Sequence, residues 1–440
     1  MTRRTSALLA AATIGALLVS PVTAQAAQTQ EKAPHLNGQR VGYFTQWGIY
    51  SGFSAKKVQD SGQAGKLTVL NYAFGNVSAD GTCFEANAAG EGDAWADYQR
   101  PVGAEESVDG VADAPGQALK GNFNQLRKLK AKNPQLRAVI SLGGWSWSKH
   151  FSDAALTDAS RKKFVSSCID LYLKGDLPQL GSAEGGAGAG AGVFDGIDID
   201  WEYPGTPGDD GNVVRPEDGR NFTLLMQEFR TQLDALSGKK GPHYLLTAAV
   251  PAGESAIDKF EIDKVAKPVD WLNLMAYELH GPWEVKGPTN HESNLYSDPN
   301  DPTGLQLSVD RLVGAYTDRG LPSKKAVVGV PLYGFGWTGV PGGPRGNGLY
   351  QPATGLARGG TLAYRQIKDL PGKVWTDRAH GVSWKYDGNE FWTYDTPEMA
   401  TAKARYVQEN DLAGVMVWSL DGDDAQGSMI AALDKGLRDD

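Results

Sequence analysis

The chain has 440 residues, 41% of them hydrophobic and 22% charged, with 12 Trp, 16 Tyr and 13 Phe, which is enough apolar material for one large core or two ordinary ones. Its formal net charge is −9 and its Lys and Arg are scattered rather than grouped. That balance argues against capture of nucleic acid or of an anionic membrane and for a neutral or cationic partner.

The chain opens with Arg3 and Arg4, an apolar run over 7–19, Pro21 and the small-residue stretch Ala24-Gln25-Ala26. This pattern reads as a secretory signal peptide over 1–26, which makes the protein secreted and extracellular, with 27–40 as a linker. A membrane anchor is the weaker reading, because the run falls short of the roughly 20 residues that span a bilayer. Cys83 and Cys168 are the two cysteines, and in an oxidising compartment they are either one disulfide or two buried thiols. Neither has a His or Cys beside it at metal-ligand spacing.

From there, short apolar runs alternate with amphipathic ones, and no fixed-period repeat is present. The strands expected are 41–46, 67–74, 136–142, 194–201, 244–250, 269–277, 326–333 and 414–420. Helical patterns cover 116–131, 160–174, 216–237, 306–319, 396–410 and 425–437. Alternation of this kind, with continuously apolar strands, predicts a parallel sheet wrapped in helices. Eight units, and no G-x-G-x-x-G after the first strand, favour an α/β fold of the (β/α)8 TIM barrel type over 41–440 rather than an open doubly wound sheet.

Three stretches interrupt the alternation. The Gly-rich tract 181–192 precedes a strand and reads as a loop, and a polar insertion occupies 78–115. Between the seventh and eighth strands, 335–395 reads as a small inserted α+β subdomain, with Asp387-Gly388 at the turn of a hairpin. Both insertions leave from the carboxyl ends of strands, where barrel enzymes build their sites, so a deep cleft is expected.

The fourth strand carries an unusual load. "GVFDGIDIDWEYPG", 192–205, holds four carboxylates within 195–202. Strand alternation directs Asp198, Asp200 and Glu202 to one face, the barrel interior, and Asp195, Ile197, Ile199 and Trp201 to the other. Crowded, buried like charges are relieved when one group keeps a proton at a raised pKa, as a general acid requires. A hard-cation site and a purely structural polar network compete with that reading. No second acidic cluster on another strand supports the cation, and general acid catalysis is the favoured use. A protonated carboxyl of this kind suits glycoside hydrolysis, yet the neighbouring acids share Glu202's strand and are poorly placed to be the nucleophile.

"FDGIDIDWE" resembles the D-x-x-D-x-D-x-E signature of glycoside hydrolase family 18, the secreted chitinases, and further motifs agree in order. They are "SLGGW" (141–145), "LMAYEL" (274–279), "VPLYG" (330–334) and "GVMVWSLDGDD" (414–424), which together span nearly the whole chain after the signal peptide. The 335–395 insertion resembles that of the deep-cleft subfamily. The resemblance implies substrate-assisted hydrolysis with retention, a departure from the two-carboxylate scheme. Glu202 would be the proton donor and then the base. Asp200 would orient the substrate's acetamido group, Asp198 would share a proton with Asp200, and Tyr277 would hold the acetamido oxygen.

By the same resemblance Trp418 would form the floor of the site, and Trp145 a leaving-side stacking surface beside Gly144. Trp283, Tyr43, Phe74, Tyr203, Met275, Glu278 and Tyr333 would line the cleft. Two residues depart from the family's pattern: Glu278 replaces the usual Asp, and Phe335 stands where deep-cleft members often carry Arg. The implied function is a monomeric secreted chitinase acting on chitin or chitooligosaccharides, with no cofactor and no metal. An endo-β-N-acetylglucosaminidase acting on N-glycans or peptidoglycan, and a non-catalytic chitin-binding lectin, are the alternatives. The lectin fits less well because the acid is present.

Overall fold

The computed structural model describes residues 38–438 together with Met1. The rest of the expected signal peptide and the linker up to residue 37 lie outside the described residues. Eight parallel strands form the barrel: β1 (Gln39–Thr45), β2 (Val69–Val77), β3 (Arg137–Gly143), β4 (Gly196–Asp200), β5 (Leu245–Val250), β6 (Trp271–Leu274), β7 (Ala326–Pro331) and β8 (Gly414–Trp418). Each pairs with its neighbour, and β1 pairs with both β8 and β2, which closes the sheet into a (β/α)8 barrel.

Most strand positions face one of two apolar surroundings, which is why the strands read as largely apolar runs. Inward residues Val41, Tyr43, Val69, Val139, Leu245, Trp271, Val327 and Met416 fill the barrel. Outward residues such as Phe44, Ile140, Ile197, Ile199, Leu246 and Val330 pack under the helices. Those helices include α1 (Ala55–Asp60), α2 (Gly121–Lys132), α3 (Asp158–Cys168), α4 (Asp218–Ser237), α5 (Val309–Asp318), α6 (Pro397–Glu409) and α7 (Ser428–Gly436). Local chemistry sets where several begin. The Thr157 hydroxyl accepts from Ser160 N–H in a reciprocal capping box, Ser308 caps α5, and Thr396 precedes Pro397 at the first turn of α6.

Both insertions are ordered by side chains beyond the reach of local sequence patterns. The 78–115 segment contains the short strand Cys83–Phe84, which pairs with the end of β2, and Cys83 forms a disulfide with Cys168 at the end of α3. Between β7 and β8, five antiparallel strands, Tyr333–Thr338, Gly355–Ala363, Lys373–Asp377, Val382–Tyr386 and Phe391–Tyr394, form a second sheet around Phe335, Trp337, Trp384 and Phe391. Tyr386 pairs with Phe391 across the turn containing Asp387-Gly388. A loop after β6 is woven into this sheet: Thr289 N–H donates to Gln351 C=O at 2.8 Å and Tyr296 N–H to His380 C=O at 3.0 Å.

Candidate active site

The barrel's carboxyl ends open into a cleft of about 890 Å³. Its walls include Tyr43, Phe74, Trp145, Asp200, Glu202, Tyr203, Met275, Tyr277, Glu278, Tyr333 and Trp418. Eleven of the residues singled out from the sequence are thus brought together. Asp198 lies beneath them, fully buried. Two others sit differently. Gly144 does not line the cleft: its φ is +73°, and a Cβ there would stand 2.6 Å from the Phe74 ring, so its role is to let that ring lie against the backbone. Trp283 is 57% exposed outside the cleft lining, edge-on to Phe335 at 6.0 Å. Phe335 is buried between Trp283 and Tyr333, so this position offers the cleft no polar contact.

Register explains the carboxylate stack. Asp198 on β4 lies level with Ser141 on β3 and Thr247 on β5, all three pointing inward. Its Oδ2 accepts from Tyr43 and Ser141 hydroxyls, each at 2.7 Å, and its Oδ1 from Thr247 Oγ1 at 2.5 Å and Asn273 Nδ2 at 3.2 Å. Burial raises its pKa, and these four donors oppose the rise. A carboxylate so enclosed by donors has no lone pairs aimed at a cation. Among the described residues no group of three or more His, Cys, Asp or Glu could hold a metal ion.

Asp200, one layer up, has the opposite surroundings. Its Oδ1 is buried with no hydrogen-bond partner. Burial, then the charges of Glu202 and Asp198, hold it well above the usual carboxylate range. Of the two, Asp200 is thus pushed further toward its protonated form, and Asp198, held by four donors, less far. At the rim, burial pushes the Glu202 carboxyl up to about 7, against an opposing hydrogen bond from Tyr203 and with the help of the Glu278 charge. Tyr277 is likewise raised, by burial and the charge of Asp200, and so remains a neutral hydroxyl.

Aromatic rings form the rest of the cleft. Trp418 lies between Tyr43, edge-on at 5.5 Å, and Phe74, stacked at 5.6 Å. Trp145 stands 51% exposed on one wall. Glu278 adopts a left-handed φ of 58° and accepts from Tyr333 OH at 2.7 Å, so the longer side chain is held against the wall. The "SLGGW" motif meets a steric demand at Gly143, whose φ is +109° and where a Cβ would stand 2.4 Å from Asp200 O. Only glycine lets β3 approach the end of β4 this closely.

Sequence reasoning passed over several participants. Thr247 and Asn273, which hold Asp198, are polar residues in otherwise apolar inward positions, and that anomaly was the available signal. Trp47 lines the cleft, whereas Trp337, Trp384 and Trp392 are buried in the antiparallel sheet. Lys149, Thr206 and Pro251 come from loops that have no periodic pattern.

The family description "Glycosyl hydrolases family 18" matches residues 39–423, the whole barrel from β1 past β8. The chain belongs to glycosyl hydrolase family 18. Among curated relatives, Chitinase C of Streptomyces lividans is 37% identical over 393 residues, 88% of this chain and 58% of that protein. Chitinase 63 of Streptomyces plicatus is 35% identical over 91% of this chain and 60% of its own length. The chain thus spans about three fifths of the length of these family 18 relatives. The solved catalytic domain of psychrophilic chitinase B from Arthrobacter TAD20 superposes with a TM-score of 0.86 at 43% identity, covering 92% of this chain and 96% of that one. Among the described residues no helix is long and apolar enough to cross a membrane.

Proposed function

We propose that this protein is a secreted retaining chitinase that hydrolyses β-1,4-linked N-acetylglucosamine polymers, using the substrate's own acetamido oxygen as nucleophile. The observation that carries this reading is Glu202 at the rim of an aromatic cleft above the buried Asp200, whose Oδ1 has no hydrogen-bond partner, with burial raising the pKa of both carboxyls. The names of the chitinase relatives support the choice of substrate. A floor made by Trp418 and a wall made by Trp145 suit the apolar faces of linear sugars.

In this scheme the glycosidic C1–O bond breaks as Glu202 transfers its proton to the departing oxygen. The acetamido carbonyl oxygen bonds to C1 from the opposite side, giving an oxazolinium ion whose positive charge the Asp198–Asp200 pair stabilises. Tyr277 donates to the acetamido oxygen and fixes it for attack. Water then adds to C1 as the bond from C1 to the acetamido oxygen breaks, regenerating the N-acetyl group, and gives a proton to the Glu202 carboxylate, which restores the acid and yields net retention.

Glu202→Gln keeps the shape of the side chain but holds no transferable acid proton. Turnover of N-acetylglucosamine hexamer should fall by about 10²- to 10⁴-fold, with oligosaccharide binding, read by calorimetry, unchanged. Turnover at the parent rate would remove Glu202 from this role.

A further inference from the structure

The acid's backbone lies beyond the sheet that supports it. β4 ends at Asp200, so the N–H and C=O of Glu202 have no ladder partner, and buried backbone groups must find one elsewhere. Both find side chains. Glu202 N–H donates to Ser148 Oγ at 2.9 Å, and Glu202 C=O accepts from Asn212 Nδ2 at 2.9 Å. The Ser148 hydroxyl shares its own hydrogen between Gly144 C=O at 2.8 Å and Asp200 C=O at 3.2 Å.

These two side chains fasten three pieces of chain at one point. Ser148 is fully buried at the end of the short helix Gly144–Trp147, and it joins that helix to the last residue of β4 and to Glu202. Asn212 sits in the loop after β4, where Val213 N–H donates to Lys149 C=O at 3.1 Å, so this loop is tied to the same segment. Gly208 packs behind the junction, where a Cβ would stand 2.1 Å from Glu202 O. Neither Ser148 nor Asn212 lines the cleft.

We infer that Ser148 and Asn212 are positioning residues for the proton donor, fixing the direction in which the Glu202 side chain leaves the backbone. The inference rests on the proposed role of Glu202 as the acid. The groups that face its carboxyl are Asp200 on β4, Tyr203 on its own loop, and Tyr277 and Glu278 after β6, while Lys149 lines the cleft on the side of the loop after β3. Re-aiming the side chain changes its distance from all of them. Its titration must move together with its catalytic reach.

The test compares pH–rate profiles of Ser148→Ala, Asn212→Ala, Glu202→Gln and Ser383→Ala on N-acetylglucosamine hexamer. Ser383 is an equally buried hydroxyl in the antiparallel sheet, bonded to Tyr394 C=O at 2.8 Å, and serves as the control. Ser148→Ala and Asn212→Ala should each lower kcat by about 10- to 100-fold, the scale of a 1 Å misplacement, leave KM within about threefold and displace the basic limb of the profile. Ser383→Ala should lower the melting temperature and move neither kcat nor the limb. Asn212 is half-buried in a loop, so Asn212→Ala carries the test alone if Ser148→Ala does not fold. An unshifted limb with unchanged kcat in the folded variants overturns the inference. Undiminished turnover by Glu202→Gln overturns the role on which it rests.

Discussion

At the scale of single residues, the same carboxyl is set against itself in stability and in function. Glu202 has an ordinary pKa of 4.5 and is raised to about 7 by burial, so the folded protein binds its proton more tightly than the unfolded chain does. Stability is therefore lost as pH rises from the unfolded value through the folded one, between about 4.5 and 7. Glu202→Gln removes that penalty, and at pH 8 it should unfold in urea with a stability about 1–3 kcal/mol above the parent, the difference vanishing near pH 4. Equal stability of the two proteins at both pH values would contradict the raised pKa. With Glu202 in its proposed role as the acid, kcat/KM should decline above about pH 7 as it loses its proton, and Glu202→Gln should lack that limb. The alternation rule was enough to direct Asp198, Asp200 and Glu202 to one face. It could not say which would hold a proton, because that depends on donors from β1, β3, β5 and β6 converging on Asp198 and missing Asp200.

At the scale of elements, the strands were legible because most of their positions are apolar on both faces, and the helices because of their amphipathic period; the caps at Thr157 and Ser308, which place the starts of α3 and α5 away from 160 and 306, lay outside that period. The 78–115 insertion was legible only as an interruption. Its order comes from pairings across the chain: Cys83 with Cys168, and Trp147 Nε1 donating to Gly90 C=O at 2.9 Å. The loop after β6 escaped sequence reading for the same reason, since several of its backbone groups, those of Thr289, Leu295 and Tyr296 among them, bond to the connections between the antiparallel strands. The disulfide closes a loop of 85 residues, and removing that constraint favours the unfolded chain. The double variant Cys83→Ser/Cys168→Ser should lose about 2–4 kcal/mol in denaturant unfolding while keeping kcat, since neither cysteine touches the cleft. Unchanged stability would mean that the insertion is held without the bridge.

At the scale of the whole molecule, the barrel gathers at one rim residues that are far apart in sequence, from Tyr43 to Trp418. The antiparallel sheet after β7 contributes Tyr333, which fixes Glu278 on one wall of the cleft. The carboxylates that line the cleft are Asp200, buried beneath the rim, Glu202 itself, and Glu278, already engaged by Tyr333. In the proposed scheme the substrate supplies its own nucleophile, and that scheme sets the stereochemistry of the product. Proton NMR of N-acetylglucosamine hexamer hydrolysis, recorded faster than the products mutarotate, reads that stereochemistry directly. The account predicts that newly formed reducing ends appear first as the β-anomer; α-anomer formed first would contradict it.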